Sequence, residues 1–379
     1  MIDLSLKMLF GDRAKYFMLV SGLTFASLLM IEQASIFCGV MQWSGSTLHN
    51  VPAPIWVVDP MVEQVNDTDA MRDTDINRVR SVPGVEWAAP LYSGTLRARL
   101  PDGSFKFIQL MGIDSATFAG APRELVSGSL DALRMPNTVI IDESGSTKLS
   151  RNPDKPLAVG DVFEINDREA RVVGVCKARM SFQGNPYVFT TYDRALLYAP
   201  STRKMLSCVL AAPRPGETAA SVAQRITEQT GLKAHTTDDF FWLTMWWFVK
   251  NTGIPVAFGA TVIVGLVVGM VICSQTFYSF VLENLRNLGA LKAMGASDAT
   301  LRNMLLVQAL TVGVTGYGCG AGLATAFGWI VIDAGQPPFF MPWSLPVATL
   351  ITVLVISGLA AGFGIRRIQK LEAAVVFRG

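Results

Sequence analysis

The sequence is poor in the residues from which metal sites and many hydrolytic sites are made. Its 379 residues include two histidines, His49 and His235, and neither stands at a metal-ligand spacing. Both read as surface or packing residues. The five cysteines (Cys38, Cys176, Cys208, Cys273 and Cys319) contain no C-x-x-C pair, which removes a common zinc signature. Cys38, Cys273 and Cys319 lie in or beside apolar runs. Cys176 and Cys208 fall in the polar middle, where one disulfide and two unpaired buried thiols are both open. Charge is scarce too: 16% of residues are charged, against about a quarter in an ordinary soluble domain. The 32 basic and 30 acidic residues nearly cancel, so nothing points to nucleic acid as a partner. No G-x-x-x-x-G-K-[ST] phosphate loop occurs, and Ser144-Gly145-Ser146-Thr147-Lys148, which lacks that spacing, reads as a turn. Asp142-Glu143 beside Ser144 is acidic without a visible base. No catalytic residue, metal site or resident cofactor is expected.

What the sequence has is apolar length. Half of its residues are hydrophobic and the mean hydropathy is +0.37. A membrane helix needs about 20 mainly apolar residues, and four stretches qualify: residues 17–40, 253–281, 304–332 and 345–365. The first is too long for the apolar part of a cleaved signal peptide and no A-x-A site follows it, while Phe37 is too bulky for a lipoprotein cleavage at Cys38. Lys7, Arg13 and Lys15 precede the first span. Arg286, Lys292 and Arg302 follow the second, and Arg366, Arg367, Lys370 and Arg378 follow the fourth. The loop 333–344 has no lysine or arginine. The positive-inside rule then puts both termini and the loop 282–302 in the cytoplasm, and residues 41–250 outside. Trp242, Trp246 and Trp247, just before the second span, suit an aromatic belt at the outer interface; the alternative is that they belong to the core of the soluble domain.

The inserted region alternates short strands with a few helices. Ile55–Val58 and Thr138–Ile141 read as strands, and Asp75–Arg80 as a helix stopped by Val82-Pro83-Gly84-Val85. Thr95–Leu100 and Phe105–Met111 flank Pro101-Asp102-Gly103, while Val162–Ile165 and Ala170–Val175 flank Asn166-Asp167-Arg168; both are hairpin patterns. Thr218–Thr230 is amphipathic and closed by Gly231. The expected fold class is therefore a membrane α-helical protein with four transmembrane helices and an α+β extracytoplasmic domain inserted between helices 1 and 2. Residues 1–16 form a cytoplasmic amphipathic segment and 366–379 a cytoplasmic tail.

The densest pattern follows the second span, from Glu283 to Ser297. Leu285, Leu288 and Leu291 recur at helical spacing, Gly295 can end that helix in a left-handed cap, and Ser297 can cap the next. A short helix across the cytoplasmic face results, either a plain amphipathic connector or a coupling helix. Glu283 followed by Leu291-Lys292-Ala293-Met294-Gly295-Ala296-Ser297 resembles the acidic residue and "LKAxGAS" signature of permeases of the MacB/LolC/FtsX superfamily of ABC transporters, nearest the DevC-like branch. Phe10-Gly11-Asp12-Arg13-Ala14-Lys15 resembles the family's basic N-terminal segment, and Arg366-Arg367 with Ala373–Arg378 its tail, although Glu372-Ala373 stands where many relatives carry a proline.

That resemblance implies a homodimer with ATP bound by a separate ABC ATPase subunit, since the chain starts almost directly at its first span. It makes Glu283, Arg286, Leu288, Gly289, Leu291, Lys292, Ala293, Met294, Gly295 and Ala296 the ATPase-coupling residues. It further implies a bacterial inner membrane and, for export, a periplasmic adaptor and an outer-membrane channel; the alternative is an FtsX-like regulator of an envelope hydrolase without transport. Glu32, an acid within the first apolar run, is either a functional intramembrane group or a residue near the outer interface or the dimer seam. Gly265/Gly269, Gly316/Gly320 and Gly318/Gly322 are small-xxx-small pairs that permit close helix packing, within one subunit or between two.

Overall fold

The computed structural model describes residues 2–67, 69–100, 102–150, 154–200, 206–334 and 337–369. The chain forms two compact units, Met41–Thr252 and the combination of Met1–Val40 with Gly253–Gly379. A ten-residue helix α1 (Ile2–Gly11) leads at Asp12 into α2 (Arg13–Ser44). The latter starts before Phe17 and ends after Val40 because helix geometry continues past the apolar run into Arg13 and Lys15 at one end and Gln42 and Ser44 at the other. Its 32 residues amount to about 48 Å, more than the roughly 30 Å of bilayer hydrocarbon.

The inserted unit begins with α3 (Ser46–Asn50), β1 (Ile55–Val58), α4 (Asp75–Arg80), β2 (Val85–Arg99) and β3 (Phe105–Ile113). It continues through β4 (Leu125–Gly128), β5 (Thr138–Asp142), α5 (Glu143–Lys148), β6 (Val162–Ile165), β7 (Arg168–Cys176), β8 (Tyr187–Thr191) and α6 (Tyr192–Tyr198). It closes with β9 (Cys208–Pro213), α7 (Ala219–Thr230), β10 (Lys233–Thr236) and α8 (Thr237–Asn251). The long strand β2 joins two parts. Its first half pairs antiparallel with β9 (Leu91 opposite Cys208), which leads on to β1 and β10. Its second half pairs with β3 and, at Ala98 and Arg99, with β6. Because β6 also pairs β7, the path β2–β3–β8–β5–β7–β6 closes on itself, with β3–β8 and β5–β7 parallel. Alternate residues point into that ring, where Ala98, Ile108, Leu110, Val139, Ile141, Ile165, Val172 and Val188 form one core. The β1–β9 part packs α4 and α7 on one face through Val57, Val79, Val209, Val222 and Ile226.

Local signals explain these elements. Asn166 and Asp167 both take positive φ, 49° and 61°, so a two-residue turn joins β6 to β7 and Arg168 already belongs to the strand. Thr218 caps α7 by accepting from the Ser221 amide at 3.2 Å, and Gly231 (φ 71°) ends it. The turn between β2 and β3 includes Pro101, which lies outside the described residues. One local reading is overturned: Ser144–Lys148 is helical, not a turn. Asp142 accepts from the Gly145 amide at 2.6 Å and so starts α5 directly off β5. Cys176 and Cys208 are buried free thiols on strands that do not pair with each other. Trp242 and Trp246 on α8 are 61% and 57% exposed and are not core residues, whereas the Trp247 indole donates to Glu63 at 2.7 Å.

After the inserted unit come α9 (Ile254–Glu283), α10 (Leu285–Ala293), α11 (Asp298–Ala334) and α12 (Ser344–Gln369). With α2 these include four helices long and apolar enough to cross a membrane. Two of the glycine pairs serve packing inside the chain. A side chain on Gly269 would stand 2.5 Å from Ala26 Cβ, and one on Gly320 would stand 2.6 Å from the Thr24 carbonyl, so α9 and α11 approach α2 at backbone distance. Thr24 Oγ1 donates to the Gly316 carbonyl at 3.2 Å across the same contact. Gly318 and Gly322 face open space instead. Leu19, Leu23, Ala26, Phe277, Val312, Val353 and Ile356 fill the centre of this unit. Glu32 is half-buried on α2, not enclosed, and has no hydrogen bond among the described residues. Residues 370–379, which include Lys370, Glu372 and the Ala373–Arg378 tail, lie outside the described residues.

Candidate functional site

Between α9 and α11 the helical path is broken twice, at Asn284 and at the turn Met294–Ser297, and the second break uses the Gly295 and Ser297 that the sequence singled out. α9 ends at Glu283, and Asn284 caps it by donating from its side-chain Nδ2 to the Phe280 carbonyl at 2.9 Å. α10 then runs for nine residues. Its end is a Schellman closure: the Ala296 amide donates to the Leu291 carbonyl and the Gly295 amide to the Lys292 carbonyl, both at 3.0 Å, with Gly295 at φ +96°. Ser297 starts the next helix by accepting from the Thr300 amide at 3.2 Å. Leu285, Leu288 and Leu291 turn the apolar side of α10 inward, onto Val281, Leu301, Met304 and Leu305.

Charge fastens the same segment from both sides. Lys292 bridges the Gly295 turn to Asp298 at 2.9 Å, tying α10 to the first turn of α11. Glu283 pairs with Lys15 at the start of α2, and Lys15 also holds Asp12 at 2.9 Å. The lysine side chain is only 19% exposed, so it sits between two carboxylates at the edge of the helix bundle. Its hydrogen bond keeps the Asp12 carboxyl below the usual carboxylate range. The sequence had marked Lys15 only as one of several basic residues; the D-x-x-K spacing at 12 and 15 was the available sign of a local pair. Also unread was the fastening of α1 to α11. The Gln308 side chain donates to the Ser5 carbonyl, and the Ser5 hydroxyl donates to the Met304 carbonyl, both at 2.8 Å.

The ten residues expected to couple to an ATPase divide into three sets. Leu288 (2% exposed) and Gly289 are buried and hold α10 against its neighbours, so no partner can touch them from outside. Leu291, Lys292 and Ala296 are half-buried, shared between the fastening and the surface. Glu283, Arg286, Ala293, Met294 and Gly295 are exposed, and Met294 at 76% is a large apolar side chain held out at the tip of the turn. Methionine is flexible and polarizable, so such a side chain can adapt its shape to what it meets. The arrangement is an exposed apolar tip on a helix braced from both sides. No group of three or more histidine, cysteine, aspartate or glutamate side chains among the described residues could hold a metal ion.

Known proteins resemble the chain over the same two parts. The model of the MacB-like periplasmic core domain matches residues 18–229, and that of the FtsX-like permease C-terminal domain matches residues 259–373. An uncharacterized ABC transporter permease of Methanocaldococcus jannaschii is 25% identical over 60% of this chain and 59% of its own length. The macrolide export ATP-binding/permease protein MacB of Agrobacterium fabrum is 27% identical over 66% of this chain and 40% of its own length, and that of Shewanella oneidensis 26% over 69% and 42%. The chain thus spans about half the length of the relatives it matches. The crystallised periplasmic region of MacB from Actinobacillus actinomycetemcomitans aligns at 17% identity over 52% of this chain and 92% of that one, with a TM-score of 0.38. With its four apolar helices the protein is a multi-pass membrane protein carrying an inserted MacB-like α+β domain. The first family model alone covers more than half of the chain, and the second takes up most of the remainder: the chain belongs to the MacB/LolC/FtsX superfamily of ABC-transporter permeases.

Proposed function

We propose that the chain is the permease subunit of an ABC-type exporter of the DevC-like kind, and that Glu283–Ala296 receives motion from a separate ATPase subunit. The observation that carries this reading is the mounting of α10. A nine-residue helix with an exposed Met294 tip is braced to α2 through Lys15 and Glu283 and to α11 through Lys292 and Asp298. A push on Met294 or Arg286 therefore reaches two membrane-length helices through short, stiff links rather than being absorbed in a loop. ATP stays on the partner; this subunit binds no cofactor.

The rest of the reading follows the charge pattern and the family. Lysines and arginines next to the spans orient both termini and α10 toward the cytoplasm and the α+β domain outward, in a bacterial inner membrane. Two copies assemble as a homodimer with two ATPase subunits. The outer domain meets a periplasmic adaptor, which connects to an outer-membrane channel. An FtsX-like regulator without transport would use the same coupling segment, and the scarcity of charge within the spans favours force transmission over passage of a polar solute. The test is co-purification of the full chain from its native membrane followed by mass spectrometry and ATPase assay. The expected result is an ATPase chain with a phosphate loop, whose hydrolysis continues while its coupling is lost in Glu283→Lys and Lys292→Glu. If the pure chain hydrolyses ATP alone, or if both charge reversals leave function unchanged, the proposal is wrong.

A further inference from the structure

The inserted unit contains a cavity of about 230 Å³ lined by His49, Asn50, Arg123, Glu143, Lys177 and Arg179. Drug-sized ligands occupy roughly 300–1,000 Å³, so this cavity suits a small polar group. Three segments are pinned to make it. Asn50 at the end of α3 exchanges two hydrogen bonds with the backbone of Arg179, donating to its carbonyl at 2.7 Å and accepting from its amide at 2.9 Å. The Lys177 amide donates to the Glu124 carbonyl at 3.0 Å, which sets Arg123 beside the segment that follows β7. Asn50 itself is only 4% exposed, so the pin on Arg179 is an interior one.

The charges in this cavity do not cancel. Lys177 is engaged by Glu124 at 2.6 Å. Among the described residues, no carboxylate forms an ion pair with the guanidinium of Arg123 or of Arg179, and Glu143 is the only acid in the lining. Burial and then the two arginines, Arg179 before Arg123, push the His49 imidazole below its ordinary range. Both guanidinium groups line the same open cavity as the imidazole, with Lys177 and Glu143 the remaining charged groups in the lining, and all five side chains are exposed. An anion in this lining would meet two guanidinium groups without ion-pair partners among the described residues, and guanidinium forks match phosphate oxygens two at a time.

From this we infer that the cavity is a binding site for a phosphate group, gripped by Arg123 and Arg179 with His49 as a third donor when protonated. The chemistry is shared by a free phosphate and by a phospholipid headgroup, and His49 follows Ser44, the last residue of α2, by five positions along the chain. The site lies wholly in the inserted unit and does not depend on the coupling proposal.

The chain has two histidines, so histidine-selective labelling of the full protein, freed of any tag and held in maltoside micelles, gives one NMR signal for each. The His49 signal, assigned with His49→Gln, is titrated against pH with inorganic phosphate, with phosphatidylglycerol in phosphate-free mixed micelles, and with chloride at equal ionic strength. Bound phosphate should raise the His49 midpoint by at least about half a unit, a threefold change in proton affinity, and leave His235 unmoved. A response to phosphate alone identifies a soluble ligand, and a response to the lipid alone identifies a headgroup. Arg123→Gln/Arg179→Gln should abolish the response. Arg179→Lys should weaken it about tenfold by losing the fork, and the unchanged His235 signal certifies the fold of each variant. No rise beyond the chloride control in either arm, a rise shared by His235, or a full response in the folded double variant would overturn the inference.

Discussion

Replacing Gly295 by alanine isolates the backbone geometry on which the α10 mount depends. Gly295 sits at φ +96° with no atom within 4 Å of the position a Cβ would take, so the substitution creates no collision. Its whole effect is the cost of forcing an L-residue into left-handed backbone, roughly 1–2 kcal/mol. Two hydrogen bonds depend on that conformation, Ala296 to Leu291 and Gly295 to Lys292. A loss of this size lowers the protection of those amides about 5- to 30-fold. Hydrogen exchange read by mass spectrometry on peptides covering 285–300 should show this fall, while peptides from the β2–β3 hairpin keep their rates. Gly318→Ala provides the control: it too faces open space, but within α11 at ordinary helical backbone, where alanine is favoured by about 0.5–1 kcal/mol. Unchanged exchange in Gly295→Ala, or an equal change in Gly318→Ala, would refute the idea that this turn is held by a left-handed cap.

Burial raises the Asp142 carboxyl to about 6 from an ordinary 3.8, more than its bonds from Gly145, Tyr187 and Ser144 lower it. A raised acid favours the folded state below its unfolded value and loses that contribution as pH climbs through the folded one, so Asp142 lowers stability between pH 4 and 7 by up to about 3 kcal/mol. His49, shifted downward, pulls the opposite way below its ordinary range. Asp142→Asn should therefore shift the melting-temperature difference, pH 5 minus pH 7.5, downward relative to the parent, as read by circular dichroism; an unaltered difference would show that Asp142 does not titrate there. In α11, Gly320→Leu should push against the Thr24 carbonyl and the Leu28 amide and cost about 1–3 kcal/mol of helix packing, seen as a lower melting temperature in micelles, while Gly322→Leu should not.

Much of the protein could be read from periodicity and punctuation. The apolar runs marked the four long helices because nothing shorter than a bilayer demands that length, and the left-handed cap at Gly295 was legible because only glycine takes that backbone without strain. Strand pairing was not legible. The closure of six strands into a ring depends on two residues, Ala98 and Arg99, meeting β6, a contact set by sheet twist and not by local pattern. The short helix α10 was found as a stretch, yet which of its residues between 283 and 296 are buried and which exposed was not. Leu288 and Gly289 are hidden because α1 and α11 converge on α10, and nothing between 283 and 297 announces that convergence. Lys15 was missed as the partner of Glu283 because 268 residues separate them along the chain and no spacing rule spans such a gap.

In the proposed function, Met294 and the charged residues around it meet an ATPase. It is tested most directly by placing a photo-crosslinking amino acid at Met294 in the full chain, irradiating cells, and identifying what is captured by mass spectrometry. An ATPase chain bearing a phosphate loop is expected at Met294, and none from the same probe at Trp242 in the inserted domain. Capture of no ATPase at Met294, or equal capture from Trp242, would contradict it.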